Sequence, residues 1–216
     1  MTDTPFSPAE LDAAMVRAAK DGDIVVFVEA LDSGANANAL DPDTGRNLFY
    51  TLLDIVETEG AAPKRGNYYA MLMGLTTRGA DVNFRDKDGI SPLHYALQRE
   101  NYLVADVLIA MKADANEHFP PAGDTPLHIA VRLALAGQGV RLLDTLLAFK
   151  ADPLLKNNAG VSSLDLLHEF AAAPEDFAAV RDKLAATPHA LGEIAATRAA
   201  QQDELRQTAK RFKLRP

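Results

Sequence analysis

The chain has 216 residues, a net charge of −8 and no cysteine, and 48% of its residues are hydrophobic. These values exclude disulfide frameworks, thiolate zinc sites and cysteine nucleophiles, and they disfavour disorder and general nucleic-acid binding, which requires clustered Lys and Arg. Because the N-terminus shows no signal peptide and no apolar run is long enough for a membrane helix, we expect a soluble, cytoplasmic protein.

The first predicted helix pair lies within residues 7–40. It opens on Ser7-Pro8-Ala9-Glu10, a capping box with proline at the first helical position. The segment AAKDGD at 18–23 predicts the turn between the two helices, and SGANAN at 33–38 ends the second helix.

The second predicted pair spans residues 41–85, and its first helix begins near Asn47-Leu48-Phe49-Tyr50. The segment ETEGAAPKRGNYYA at 57–70 contains Gly, Pro, Lys and Arg, which predicts a loop between the helices. This loop is either a tolerated surface insertion or a second contact surface that uses Tyr68 and Tyr69, unless these tyrosines begin the next helix.

The third and fourth predicted pairs, residues 86–118 and 119–156, share one phrase. DGISPLHYALQREN at 88–101 and AGDTPLHIAVRLAL at 122–135 place a Ser or Thr as a helix N-cap before proline. In the third pair, an apolar stripe through Leu103, Val104, Val107 and Leu108 predicts the second helix. The fourth pair carries a smaller insertion at LALAGQGV, 133–140.

A fifth pair is predicted over residues 157–185, with Ser162-Ser163-Leu164-Asp165 at the start of its first helix. Residues 186–216 predict a C-terminal helix that caps or extends the array and ends in a basic tail. The basic side chains of that tail either stabilise a helix C-terminus by their charge or form a short segment that binds a partner or an anionic surface.

Two separate motifs recur along these pairs. Glycine before the Ser/Thr-Pro-Leu-His phrase recurs at Gly89 and Gly123, and the closing motif recurs as SGANAN, RGADVN, MKADAN and FKADPL. Each helix is too short to be stable alone, so the pairs must stack. The sequence resembles the ankyrin-repeat family, whose pattern matches Gly89 through Ala96 and Gly123 through Ala130 most closely.

The resemblance implies an all-α ankyrin solenoid of about five repeats in one domain, 1–185, with short hairpin loops. It implies a monomer without cofactor or catalytic activity that binds another protein in a concave groove formed by the hairpin tips and the first helices. Because the chain is acidic, a basic partner surface is favoured. The alternative is a regulatory or immunity-type inhibitor that occludes a toxin or an enzyme.

The two histidines of the shared phrase, His94 and His128, lack the convergent partners of a catalytic or metal site. The resemblance makes them structural, each bonding Ser91 or Thr125 and tying its turn to the next repeat. Since Tyr50 and Asp165 replace histidine in repeats 2 and 5, we expect looser joints there.

The resemblance also assigns residues to the binding groove by position. They are Asp41, Asp43, Arg46, Arg85, Lys87, Asp88, Ile90, Tyr95, Phe119, Pro121, Asp124, Arg132, Lys156 and Asn158. Phe119 is the most unusual of these: it is either an exposed aromatic anchor or a side chain that packs against a neighbouring tip.

Overall fold

A computed structural model describes residues 6–56, 64–138, 140–169 and 178–187. Over these ranges the chain forms ten α-helices in five consecutive pairs and no β-strand. The helices group into two compact bodies, divided between Asp114 and Ala115, which are described in turn. The prediction of an all-α ankyrin fold is confirmed.

The N-terminal body contains repeats 1 to 3. Its helices are α1 (Pro8–Asp21), α2 (Ile24–Asp32), α3 (Leu48–Val56), α4 (Arg65–Thr77), α5 (Pro92–Gln98) and α6 (Tyr102–Ala110). Within this body α1 packs against α3, α2 against α4, and α3 against α5, so that successive helix pairs stack as the short helices require.

The C-terminal body contains repeats 4 and 5. Its helices are α7 (Pro126–Leu135), α8 (Val140–Ala148), α9 (Ser163–Glu169) and α10 (Ala178–Ala185). Here α7 packs against α8 and α9. The predicted C-terminal helix over 186–216 lies almost entirely outside the described residues.

The helix starts follow the capping chemistry of the sequence. The Ser7 hydroxyl accepts a hydrogen bond from the Glu10 amide, while the Glu10 carboxylate accepts one from the Ser7 amide at 2.8 Å. At α5, the Ser91 hydroxyl accepts a bond from the His94 amide at 3.0 Å. Each cap satisfies an amide that the first helical turn would otherwise leave unpaired.

The core is built from the apolar stripes of the short helices. In the N-terminal body, the fully buried side chains include Met15, Phe27, Phe49, Leu72 and Leu93. Burying each contributes about 1.5–3 kcal/mol. The predicted stripe of α6 is partly wrong, because Leu103 faces solvent while Val104 and Leu108 are buried.

The insertions of repeats 2 and 4 differ from their predictions. Helix α4 begins at Arg65, so the C-terminal part of the predicted 57–70 loop is helical, and residues 57–63 lie outside the described residues. Tyr68 is buried against Gly22, whose left-handed turn (φ 66°) leaves no room for a side chain there. In repeat 4, the insertion lengthens α7 to Leu135 before the turn.

The closing motif links one repeat to the next through asparagine side chains. The Asn38 amide accepts a hydrogen bond from the Asp81 backbone at 2.7 Å and donates to the Gly79 carbonyl. Asn83 accepts the corresponding bond from Asp114, and Asn116 accepts one from Asp152. We call Asn38, Asn83 and Asn116 the amide rungs.

Candidate protein-binding surface

Tyr50 on α3 ties repeat 2 to repeat 3. Its ring is buried, and its hydroxyl lies 2.9 Å from the Phe84 carbonyl oxygen and 2.5 Å from that of Ile90. The expected interruption at Tyr50 is therefore absent, because the phenol is long enough to reach the next hairpin.

Arg46 lies against the same tyrosine. Its guanidinium contacts the buried Asp86 carboxylate, with Nε 3.0 Å from Oδ2, and stands 5.2 Å from the ring centre of Tyr50 and 4.9 Å from that of Tyr95. Burial would raise the pKa of Asp86, but hydrogen bonds from backbone amides and from Arg46 outweigh it and lower that pKa. Arg46 is thus engaged within the protein.

Tyr95 on α5 continues this contact toward solvent. Its hydroxyl donates to the Asp54 carboxylate at 2.6 Å and accepts from Arg99, whose guanidinium also lies 2.9 Å from Asp54. The Arg99 guanidinium stands 4.8 Å from the Tyr95 ring centre. Because the Asp54 and Arg99 side chains are each 42% exposed, this group presents charges at the surface beside α3 and α5.

Asp41 was expected in the groove, but it is buried and holds repeats 1 and 2 together. It accepts hydrogen bonds from Lys20 at 2.8 Å and from Thr51 at 3.2 Å. Burial would raise its pKa, yet the bonds from Lys20 and the Asp43 backbone outweigh burial and lower it. Asp43 remains exposed, and its carboxylate lies 2.5 Å from Lys20.

The hairpin tip of repeat 3 presents the expected charged side chains. Arg85, Lys87 and Asp88 are exposed, and Ile90 is half-buried. The Arg85 guanidinium donates to the Gly89 carbonyl at 3.0 Å across the turn, so this arginine has a defined position at the tip.

His94 is buried beside this tip, and its Nε2 lies 3.1 Å from the Gln98 side-chain nitrogen. Burial, reinforced by the charge of Arg85, lowers its pKa to about 4. The imidazole is therefore neutral at pH 7.

The hairpin tip of repeat 4 corrects the prediction for Phe119. Phe119 is only 3% exposed, so it is not an exposed anchor, and its backbone forms the base of the hairpin with Asp124. The exposed Pro121 follows a cis peptide bond, and its carbonyl accepts a hydrogen bond from the Asn158 side chain at 2.7 Å.

Asp124 and Arg132 are joined to each other and to the next repeat. The Arg132 guanidinium contacts one Asp124 oxygen, and the Asn157 amide donates to the other at 2.8 Å. Burial would raise the pKa of Asp124, but the bonds from Asn157 and Arg132 outweigh it and lower that pKa. Arg132 itself stays exposed.

His128 ties repeat 4 to repeat 5. Its Nδ1 accepts a hydrogen bond from the Thr125 amide at 3.1 Å, so Nε2 carries the proton and donates to the Val161 carbonyl at 2.9 Å. Burial lowers its pKa against the opposing effect of the Val161 bond. Beside this joint, Lys156 and Asn158 are exposed. Asp165 forms a capping box with Ser162.

Sequence reasoning missed Asp54, Asp86 and Arg99 in this surface. A signal for them exists, since residues separated by about one repeat become neighbours when the repeats stack. Arg46 and Asp86 are 40 residues apart, and Asp54 and Tyr95 are 41 residues apart. Searching for polar partners at that interval would have paired them.

The remaining chemistry of the described residues is limited. Among them, no group of three or more His, Asp or Glu side chains is placed to hold a metal ion. None of the helices in the described ranges combines the length and apolar character that crossing a bilayer requires.

Residues 60–157 match the family model for ankyrin repeats, in three copies. Together with the stacked helix pairs, this match shows that the chain contains ankyrin repeats. Ankyrin repeats generally mediate protein–protein interactions, and the family is typically non-catalytic.

Curated relatives share this repeat region. The mouse nuclear factor NF-kappa-B p105 subunit is 32% identical over 151 residues, which cover 68% of this chain and 14% of that protein. The Oryza sativa BTB/POZ domain and ankyrin repeat-containing protein NPR5 is 34% identical over 97 residues, 44% of this chain and 18% of that protein. Alpha-latrotoxin-Lg1a of Latrodectus geometricus is 27% identical over 149 residues, 66% of this chain and 10% of that protein. The chain thus spans less than a fifth of each of these relatives.

Proposed function

We propose that this protein binds a partner protein through the hairpin tips and first helices of its repeats. One observation carries the proposal: Tyr95, Arg99 and Asp54 are held together by mutual hydrogen bonds beside α3 and α5, and the Asp54 and Arg99 side chains are each 42% exposed. Side chains that are ordered before binding lose little conformational entropy when a partner docks.

The tip of repeat 3 extends this surface. Arg85 and Lys87 add positive charge and Asp88 adds negative charge beside the Tyr95 group. A mixed set of fixed charges discriminates between partners, because a like charge placed opposite any of them costs several kcal/mol. The surface is therefore suited to a specific partner and not to general adhesion. The net charge of −8 favours a partner with a basic face.

The test compares the charge reversals Arg85→Glu and Arg141→Glu. Both arginines are exposed, but Arg85 lies at the tip of repeat 3 and Arg141 on α8, the second helix of its pair. Affinity purification with quantitative mass spectrometry should recover a partner with the wild-type protein and with Arg141→Glu, and at least about tenfold less with Arg85→Glu. Equal recovery with both variants would remove the tip from the binding surface.

A second candidate, occlusion of an enzyme or toxin, would use the same surface. The acidic charge favours it where the target is basic. Adding the purified protein to the recovered partner distinguishes the two functions, since an inhibitor lowers the partner's activity in a stoichiometric manner and an adaptor leaves it unchanged.

A further inference from the structure

A second surface lies on repeat 1, away from the hairpin tips. A groove of about 440 Å³ runs between α1 and α2, and the residues that line it lie between Phe6 and Ser33. Positions i, i+3, i+4 and i+7 line it twice, beginning at Glu10 on α1 and at Val26 on α2, where the last position is the C-cap Ser33. Two rows of side chains at helical spacing form a trough of the kind into which a third helix packs.

The side chains beside this groove are unusually apolar for a surface. Phe6 is 74% exposed, and Val25, Val26 and Val28 are 63%, 40% and 42% exposed. Of these four, Phe6 and Val26 line the groove, and Val25 and Val28 lie on the same helix α2. Single exposed apolar residues are ordinary, whereas several of them gathered on one helix pair indicate an interaction site. The sequence of α2, IVVFVEALD, is apolar on nearly every side, which is typical of a helix covered by other elements.

Residues at equivalent positions in the neighbouring repeats are buried, whereas Val26 in the groove is partly exposed. Val26 lies eight residues before the left-handed residue Gly34, and Met71 and Val104 lie eight residues before Gly79 and Lys112. Met71 and Val104 are 0% exposed, whereas Val26 is 40% exposed. In repeat 2 the covering element is a helix, since α2 packs against α4. The position is therefore one that a packed helix covers.

The negative charge around the groove favours a basic helix as the covering element. Residues 7–33 carry six carboxylates and two cationic side chains, and one of these cations, Lys20, is already bound to Asp41 and Asp43. Glu10 and Glu29 line the groove itself, with Arg17. A helix flanked by Lys or Arg complements these carboxylates, while a second copy of a chain with net charge −8 is repelled.

We propose that the α1–α2 groove binds an amphipathic helix of a partner protein, whose apolar face covers Val26 and whose basic flanks meet Glu10 and Glu29. This is the helix-in-groove mode of recognition. It adds a binding surface separate from the tips, so the loss of either surface leaves the other testable.

The test uses two labelled synthetic peptides of about four helical turns, one patterned with Leu and Lys and the other with Leu and Glu at the same positions. Fluorescence anisotropy with the full chain should show that the Lys peptide binds at least about tenfold more tightly than the Glu peptide. Val26→Glu should weaken binding of the Lys peptide by at least about tenfold, and Glu29→Lys should weaken that binding by a few fold.

Met73→Glu is the matched control, since Met73 is an exposed apolar residue of α4 that lies outside the groove. It should retain wild-type affinity, and circular dichroism should show that all variants are folded. Three results would overturn the proposal: equal losses in Val26→Glu and Met73→Glu, no preference for the Lys peptide, or a wild-type dimer in sedimentation that Val26→Glu dissociates.

Discussion

Repeats 2 and 4 are each tied to the following repeat by a hydrogen bond from a buried ring, but the two rings differ. In repeat 2, the Tyr50 hydroxyl reaches the Ile90 carbonyl, and in repeat 4, the His128 imidazole reaches the Val161 carbonyl. In both, the acceptor immediately precedes the serine that lies before the first helix of the next repeat. The position therefore requires a buried ring whose O–H or N–H reaches the carbonyl of the next repeat, and either tyrosine or histidine can supply it.

The difference lies in how each ring responds to protons. A phenol does not titrate in the neutral range, whereas an imidazole does. The tyrosine joint should then hold across that range, while the histidine joint should weaken in acid. The predictions below test whether the two joints differ in strength, in their ionic support and in their response to pH.

The largest effect is expected for Tyr50→Ala, which removes a buried ring and leaves a cavity. It should lower the free energy of unfolding by about 3–5 kcal/mol in urea titrations. Tyr50→Phe keeps the ring and removes only the hydroxyl, so its cost should be about 1–2 kcal/mol. If the two variants lose the same stability, the hydrogen bonds and not the packing support this joint.

Asp86→Ala should come next, with a loss of about 2–4 kcal/mol in the same titration. The change leaves the Arg46 guanidinium without its buried partner and removes the acceptor of the Asp88 and Ile90 amides. Asp88→Ala, at an exposed position of the same tip, should change stability by less than about 0.5 kcal/mol. Similar losses in both variants would contradict the importance of the buried ion pair.

Acid should weaken the histidine joint specifically. A histidine whose pKa is lowered by folding contributes stability above its unfolded pKa of about 6.5, and that stability is lost as the pH falls toward the folded value. For His94 the folded value is about 4, and His128 shifts in the same direction. Unfolding followed between pH 7 and 4 should show a decline of about 1.4 kcal/mol for each unit of pKa difference.

His128→Gln should flatten part of that decline, because its amide does not titrate. Asp41, Asp86 and Asp124, whose pKa values are lowered, add a separate decline that begins at about pH 5, where the unfolded chain starts to bind protons. The histidine contribution is therefore read from the part of the profile above about pH 5. A profile that His128→Gln leaves unchanged would argue against the titrating joint.

The smallest effect is expected at the ends of α6 and α8. Lys112 and Lys150 hold left-handed conformations (φ 71° and 63°) where repeats 1 and 2 carry glycine. Lys112→Gly and Lys150→Gly should each raise stability by about 0.5–1 kcal/mol by relieving this strain. Lys87→Gly, at an exposed tip, should bring no gain in thermal unfolding.

The fold was predictable because its signals are local. Ser7, Ser91 and Thr125 act as helix caps through groups within a few residues of themselves, and the closing motif repeats the same turn. The start of α4 was not predictable from composition, because Gly66 and Asn67 are poor helix formers that tertiary packing of Tyr68 overrides.

The surface was harder to predict because burial at the tips depends on register. Asp41, Asp86, Phe119 and Asn157 each open the hairpin by donating from the backbone amide across it. The first three are buried, and Asn157 is half-buried. The exposure of Phe119 was therefore decided by its position in the hairpin and not by its chemistry. Aligning the tips on their glycines places these residues within one position of each other, three or four residues before the glycine.

The amide rungs have a consequence for mechanical behaviour. Asn38, Asn83 and Asn116 each accept a hydrogen bond from the closing motif of the next repeat, and the Asn38 and Asn116 side-chain amides also donate to it. Because each rung joins only neighbouring repeats, a pulling force applied to the chain loads the rungs one after another. The protein should therefore lengthen by successive small ruptures, each of which closes again when the tension is released.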